Sequence, residues 1–166
     1  SVGGAPLGAL GVSSVILIFA GSSSAEPPRR RGRPPDTKSS ETYEALLSGA
    51  RRLFGERGYG AVTNKDLAAA AGVTTGALYH YVESKLDLYV AVHDDMQQRI
   101  YHRFQLAERS EETFLGKLQA VLEAAQAMNE EDPSLAKFVG VGRADLRRDH
   151  EVRARLSTAV AARERF

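Results

Sequence analysis

The sequence contains no cysteine, which excludes disulfide bonds, thiolate nucleophiles and zinc sites built on cysteine. It also lacks an excess of either charge, with 22 Lys and Arg against 21 Asp and Glu, so net charge indicates neither nucleic acid nor membrane as a partner. The motifs Gly-x-Ser-x-Gly and His-Glu-x-x-His are absent, and Gly140-Val141-Gly142-Arg143 lacks the third glycine of a dinucleotide loop. We therefore expect no enzyme, no cofactor and no metal site.

The length and periodicity of the chain favour a small helical protein. A chain of 166 residues is long enough for one globular domain or two small ones packed together. No segment alternates between apolar and polar residues with period two, and no unit of 20–50 residues repeats. We therefore predict an all-α fold.

Residues 1–25 carry no charged side chain and contain the apolar run Val15-Ile16-Leu17-Ile18-Phe19-Ala20. A secretory signal requires a basic residue before its apolar run, and none precedes this one. The many glycines around the run disfavour a membrane-spanning helix. We favour non-native or disordered upstream sequence, and the alternatives are a membrane anchor and a cleaved signal.

Residues 27–40 combine four prolines with a cluster of arginines, a composition that precludes a packed core. Arg31-Gly32-Arg33-Pro34 resembles the AT-hook, in which an extended Arg-Gly-Arg lies in the narrow minor groove of A·T-rich DNA. We expect residues 1–40 to be disordered and Arg31 and Arg33 to bind DNA. The alternative is a solvated basic tail.

Three helices are predicted after this arm. Apolar residues recur at helical spacing from Tyr43 onward, and Gly58 is a typical C-terminal stop. A second helix is expected at about residues 64–70 with Thr63 as its N-cap, and a third at about residues 75–81. Because helices of two turns do not persist alone in water, both must pack against the first.

Longer helices are predicted in the second half of the chain. Ser84, followed by Asp87 three residues later, indicates the start of a long fourth helix. Further helices are expected to begin near Ser110, after Asp132-Pro133 and after Asp149. The expected organisation is a three-helix unit at residues 41–88 and a further helical domain at residues 89–166.

The window from Thr63 to Lys85 has the spacing of a helix-turn-helix. Two closely crossing helices tolerate only small side chains at their contact, and the tight turn between them needs a residue that adopts positive φ. Ala68, with Gly72 four residues later, meets both requirements. A helical hairpin rich in alanine could show the same spacing by chance. The apolar residues at the expected core positions are Leu67, Ala71, Val73 and Leu78.

The segment Gly72-Val73-Thr74-Thr75-Gly76-Ala77-Leu78-Tyr79-His80-Tyr81-Val82-Glu83-Ser84-Lys85 resembles the signature of the tetracycline-repressor (TetR) family. Residues 50–59 and 63–68 fit the same pattern in the same order, so the resemblance covers roughly residues 41–90. Val82 departs from the pattern, because Phe is commoner there. The resemblance implies a DNA-binding domain at residues 41–88 and an incomplete regulatory domain at residues 89–166 of a C-terminally truncated chain.

The third helix would enter the major groove with its N-terminal end toward the base edges. There the hydroxyls of Thr74 and Thr75 can hydrogen-bond bases or phosphates, and Gly76 lets the backbone approach closely. The complete set of candidate DNA-binding residues is Arg31, Arg33, Thr63, Asn64, Thr74, Thr75, Gly76, Tyr79, His80 and Lys85.

The resemblance implies that Tyr79 and Lys85 contact phosphates, and Thr63 is a candidate phosphate ligand through its hydroxyl and the free amides at the helix start. Each of these residues also has a structural interpretation. The alternative role of Thr63 and Ser84 is only to cap a helix, and that of Tyr79 is only to cover the apolar core.

The resemblance further implies a small-molecule effector and a homodimer in the full-length protein. The candidate lining residues of the effector pocket are Phe114, Leu118, Leu122, Met128 and Phe138, although core packing is the favoured interpretation of each. The expected function is that of a cytoplasmic, ligand-responsive transcriptional repressor that binds a double-stranded DNA operator without membrane association. The alternative is an all-helical protein-interaction module that does not bind DNA.

Overall fold

The computed structural model describes residues 37–163 of the chain. No β-strand occurs within this range, which confirms the all-α fold class. None of its helices is both long enough and apolar enough to cross a membrane. The helices in chain order are α1 (Thr37–Arg57), α2 (Asn64–Ala70), α3 (Thr75–Leu78), α4 (Lys85–Arg109), α5 (Phe114–Glu131), α6 (Pro133–Arg148) and α7 (His150–Arg163).

Helix α1 begins at Thr37, six residues before the predicted position at Tyr43. Residues 37–40 therefore belong to a helix, and the expectation that the arm extends to residue 40 was wrong at this end. The apolar pattern could not reveal this first turn because its residues are polar. The predicted stop is confirmed, since Gly58 adopts φ +78° and its N–H donates to the Phe54 carbonyl at 2.8 Å.

Helices α2 and α3 form the predicted pair around a glycine turn. Helix α2 has the predicted bounds, and Gly72 adopts φ +68° in the turn. Helix α3 ends at Leu78, three residues earlier than predicted, because the next residues tighten into turns. The Tyr81 N–H donates to the Leu78 carbonyl at 3.0 Å, a bond between residues three apart.

Helices α1, α2 and α3 enclose one apolar core. Ala68 and the predicted core residues Leu67 and Leu78 are almost completely buried, and Ala71 and Val73 pack partly buried against them. Helices α1 and α2 approach so closely that a Cβ on Gly49 would lie 2.9 Å from the Ala70 Cβ. Packing on α1 therefore holds α2, and α3 packs in turn on α2, as their lengths require.

The starts of the later helices follow their capping residues. Ser84 caps α4 and Asp132 caps α6 as predicted, and Asp149 accepts hydrogen bonds from two N–H groups at the start of α7. Helix α5 begins at Phe114 rather than near Ser110, because Thr113 is its N-cap and Ser110 is the C-cap of α4.

Helix α6 packs across α1 and joins the three-helix unit to the second half of the chain. A Cβ on Gly55 would lie 3.0 Å from the Phe138 backbone nitrogen, so the two helix backbones are nearly in contact. The Phe138 ring also packs against Tyr89 of α4, with 5.2 Å between ring centroids. The three-helix unit is therefore braced from one side by α4 and α6 together.

Candidate nucleic-acid interface

Helix α3 presents a continuous exposed surface, which we call the α3 surface. It consists of Thr74, Thr75, Gly76, Tyr79 and His80, and all five are exposed. The helix is anchored from beneath by Leu78, which is 1% exposed. The structure therefore brings together five of the residues that the sequence singled out. They lie on α3 or directly beside it, and the buried leucine fixes this short helix to the core.

The start of α3 is held by its N-cap, and its backbone is accessible at Gly76. Thr74 is the N-cap, and its hydroxyl accepts a hydrogen bond from the Ala77 N–H at 3.1 Å. A Cβ on Gly76 would meet only the Thr74 hydroxyl oxygen, at 3.9 Å, so the fold itself does not require glycine there. The missing side chain leaves the backbone of α3 open to a partner.

Thr63 forms a capping box with Asp66 at the start of α2, which confirms its structural interpretation. The Thr63 hydroxyl donates to Asp66 Oδ2 at 2.6 Å and accepts from the Asp66 N–H at 3.2 Å. The hydrogen bonds from Thr63 hold the pKa of Asp66 below its ordinary value, with a smaller contribution from the charge of Arg57. A phosphate that binds the Thr63 hydroxyl must therefore displace the bond to Asp66.

Asn64 connects α2 to the α3 surface. Its Nδ2 donates to the Tyr79 hydroxyl oxygen at 2.7 Å. Tyr79 itself is 51% exposed, so the interpretation of this residue as a cover of the core was wrong. The sequence singled out both residues but not the bond between them, because two positions 15 apart share no helical period.

Lys85 braces the segment that precedes α2. Its ammonium donates to the carbonyls of Tyr59 and Val62, both at 2.9 Å, and lies 4.2 Å from the centroid of the Tyr59 ring. A lysine ammonium has three donors, so at most one remains for a phosphate. The position of the helix-turn-helix thus depends on Lys85, a role that sequence reasoning missed.

The same segment is also held by Asp145 of α6. The buried Asp145 carboxylate accepts from the Tyr59 N–H at 3.0 Å and from the Tyr89 hydroxyl at 3.2 Å. Burial, and then the Asp145 charge, raises the pKa of Tyr89, which keeps this phenol neutral and donating. Tyr59 is therefore held between α4 and α6, and no sequence motif indicated this.

Arg51 is a second connection between α1 and the later helices. Its side chain is 4% exposed and forms ion pairs with Asp95 of α4, at 3.2 Å, and with Asp132 at the start of α6. Its Nε also donates to the Ser134 hydroxyl at 3.0 Å. Because a guanidinium cannot lose its charge in a protein, this buried residue needs all of these acceptors.

The five candidate residues of the effector pocket fall into an exposed group and a buried group within residues 37–163. Phe114, Leu118 and Leu122 are exposed on α5, so the core interpretation was wrong for them, and their place in an effector pocket stays a prediction. Met128 and Phe138 are buried in the core, which confirms the core interpretation. Phe114 and Met128 lie about 21 Å apart along α5, because each residue advances a helix by 1.5 Å. They cannot line one small-molecule site together.

A depression of about 300 Å³ lies between α4 and the junction of α5 with α6. Five of its seven lining residues carry charged or imidazole side chains, and the other two are apolar. The lining residues are Arg99, His102, Arg103, Met128, Glu131, Asp132 and Leu135. Within residues 37–163, no group of three His, Cys, Asp or Glu side chains is placed to hold a metal ion.

The predicted minor-groove residues Arg31 and Arg33 lie outside the described residues. The structure therefore does not relate them to the α3 surface.

Comparison with known proteins places the same part of the chain in a family. Residues 46–92 match the family described as "Bacterial regulatory proteins, tetR family". The HTH-type transcriptional repressor BepR of Brucella suis is 40% identical over 60 residues, which are 36% of this chain and 29% of that protein. The HTH-type transcriptional repressor KstR2 of Mycolicibacterium smegmatis is 36% identical over 73 residues, 43% of this chain and 36% of that protein.

These two relatives are matched over about a third of their own length, 29% and 36%. The crystal structure of a TetR family transcription regulator from Marinobacter aquaeolei superposes with a TM-score of 0.64 and covers 76% of this chain and 66% of that one. At 19% identity this likeness shows the fold alone. The family match covers the helix-turn-helix, the C-terminal half of α1 and the first two turns of α4. Residues 46–92 are therefore similar to the DNA-binding segment of the tetR family of bacterial regulatory proteins.

Proposed function

We propose that this chain contains the DNA-binding part of a transcriptional regulator, most simply a repressor, that inserts α3 into the major groove of a specific operator. The observation that carries the proposal is the α3 surface, where polar and small residues are exposed on a helix anchored by a buried leucine. Such a surface fits the major groove, where hydroxyls and backbone can reach base edges. The two relatives described above, BepR and KstR2, are named transcriptional repressors.

In this proposal the residues of the α3 surface divide into two roles. Thr74 and Thr75, with the open backbone at Gly76, face the bases and supply specificity. Tyr79 and His80, one turn later, lie toward the phosphate backbone, and the half-exposed Tyr79 hydroxyl is well suited to donate to a phosphate.

Lys85 contributes to DNA binding in two ways. With one N–H it contacts a phosphate, and with the other two it holds the carbonyls of Tyr59 and Val62. This bracing fixes the start of α2, where we place Thr63 and Asn64 next to the DNA backbone. Arg31 and Arg33 add contacts in the adjacent minor groove.

The regulatory part of the proposal rests on the family alone. We propose that residues 41–88, together with the first turn of α1, form the DNA-binding domain and that residues 89–166 belong to a regulatory domain. In the full-length protein this domain dimerises and binds a small-molecule effector, and the regulator acts in the cytoplasm. Effector binding would lower DNA affinity by stabilising a state in which the two recognition helices no longer match their half-sites.

Selection of duplexes from a random-sequence library tests the DNA-binding function directly. We expect the purified chain to enrich a short motif, and Thr75→Ala to relax the preference at one position of that motif, because it removes one contact to a base edge. Thr158→Ala is the matched control, since Thr158 is exposed on α7, far along the chain from α3. Sequences recovered without any enriched motif would contradict a sequence-specific regulator.

A further inference from the structure

Within residues 37–163, the hydrogen bond between Asn64 and Tyr79 is the one side-chain bond that joins α2 to the α3 surface. It joins the first residue of α2 to the residue directly after α3, and its length of 2.7 Å is short for a neutral pair. The Asn64 amide oxygen is buried and has no hydrogen-bond partner in the described part of the chain. The bond to Tyr79 is therefore what orients this amide.

The direction of the bond determines what Tyr79 can do. A phenol can donate one hydrogen and accept others, and here its oxygen accepts from the Asn64 amide. The phenol hydrogen therefore remains available for a partner outside the protein. Acceptance of one hydrogen bond also polarises the O–H group and makes it a stronger donor.

We propose that Asn64 is a positioning residue for DNA binding, which holds the Tyr79 phenol so that its hydrogen points to a phosphate oxygen. Asn64 acts through Tyr79 rather than on the DNA. Without the amide, the half-exposed Tyr79 ring gains rotational freedom, and binding must then restrict it. The inference rests on the proposed DNA-binding function and refines the role of one residue within it.

A double-mutant cycle on the full chain tests the inference. The probe is a fluorescein-labelled duplex of mixed sequence at low salt, since phosphate contacts do not require the operator. We expect Tyr79→Phe to weaken binding about tenfold, the loss of one hydrogen bond to a charged group, and Asn64→Ala about threefold. In the Tyr79→Phe background, Asn64→Ala should have no further effect.

Asn64→Asp sharpens the test because a carboxylate can only accept. It takes the phenol hydrogen away from the phosphate and adds a repulsive charge, so its binding should be weaker than that of Asn64→Ala. Asn129→Ala is the matched control, because Asn129 is exposed on α5. Thermal unfolding of each variant separates lost contacts from lost folding, and Asn64→Ser replaces Asn64→Ala if the latter unfolds.

The outcomes separate this inference from the function on which it rests. Wild-type protein that does not bind the duplex contradicts DNA binding itself. Wild-type binding with additive effects of Asn64→Ala and Tyr79→Phe overturns only the positioning role, since Asn64 then acts independently. The same holds if Asn64→Ala matches the wild type, or if Tyr79→Phe does.

Discussion

The α2–α3 pair and helix α5 use their apolar residues in opposite ways. Helices α2 and α3 have 7 and 4 residues, yet Leu67 and Leu78 are almost fully buried. Helix α5 has 18 residues, but Phe114 is 79% and Leu115 75% exposed, and of its residues only Met128 is buried. Burial therefore follows from the number of packing partners, not from the length or apolarity of a helix.

This difference has an energetic meaning. The short helices contribute stability only as parts of the core that α1, α4 and α6 complete around them. Helix α5 packs along one face against α4 and α6, and its outer face contributes little in this chain. The same substitution in the two regions should therefore change the free energy of unfolding by very different amounts.

The largest effect is expected for Phe54→Ala. The Phe54 ring is fully buried and packs edge-on against Tyr89, with 5.0 Å between centroids. Its removal leaves a cavity between α1 and α4, and we expect a loss of about 3–5 kcal/mol in the free energy of unfolding. Denaturant titration followed by circular dichroism measures this loss. A loss of less than about 1 kcal/mol would mean that the core is not close-packed here.

A slightly smaller effect is expected for Arg51→Ala. The substitution removes the cation beside Asp132 and leaves Asp95 paired with Arg99 alone, at the junction of α1, α4 and α6. We expect a loss of about 2–3 kcal/mol in the free energy of unfolding, at or below the lower end of the range for breaking a buried ion pair, because Asp95 keeps a partner and Asp132 is partly exposed. The neighbouring Arg52→Ala is the matched control, because Arg52 is exposed and should behave like the wild type. Equal stability of the two variants would contradict the connecting role of Arg51.

A pH dependence of intermediate size is expected from Asp132. Burial acts to raise its pKa, but hydrogen bonds from Ser134 and the charge of Arg51 outweigh burial and hold the pKa below its ordinary value. Because the folded-state pKa is the lower one, the ionised carboxylate stabilises the fold above the unfolded pKa of about 3.9. This stabilisation is lost as the pH falls through the folded pKa.

Unfolding measured from neutral pH down to about pH 3 tests this dependence. Asp132→Asn should lose less stability over that range than the wild type, because it has no carboxylate to protonate. Glu130→Gln, an exposed change two residues away, should leave the wild-type profile intact. Parallel profiles for Asp132→Asn and the wild type would contradict the assignment.

The smallest effect is expected for Phe114→Ala, which repeats the chemistry of Phe54→Ala on an exposed residue. We expect a change within about 0.5 kcal/mol in the free energy of unfolding, because few contacts are lost. The same denaturant titration compares the two variants directly. A large loss at Phe114 would mean that the outer face of α5 is covered in solution.

The helix starts were predictable because their signals are local. Thr63, Ser84, Asp132 and Asp149 each cap a helix through bonds to N–H groups two or three residues away. The start of α1 was predicted too late because only the apolar period was used to place it, and its polar first turn shows no such period.

The supports of the candidate site were not predictable, because they join distant parts of the chain. Tyr59 and Asp145 are 86 positions apart, and Arg51 and Asp132 are 81 apart. Each residue alone resembles an ordinary polar residue on a helix or in a loop. The α3 surface itself was predicted as a group, because its members follow one another along the chain.

By itself, the sequence determined where the helices begin, where the glycine turn lies and which segment resembles a DNA-reading motif, since capping, turn geometry and periodicity act over a few residues. Only the tertiary structure decided which apolar faces are buried, that Lys85 and Asp145 hold Tyr59 between them, and that Asn64 reaches Tyr79. Burial and long-range hydrogen bonds depend on which helices meet, and that is a property of the packed chain as a whole.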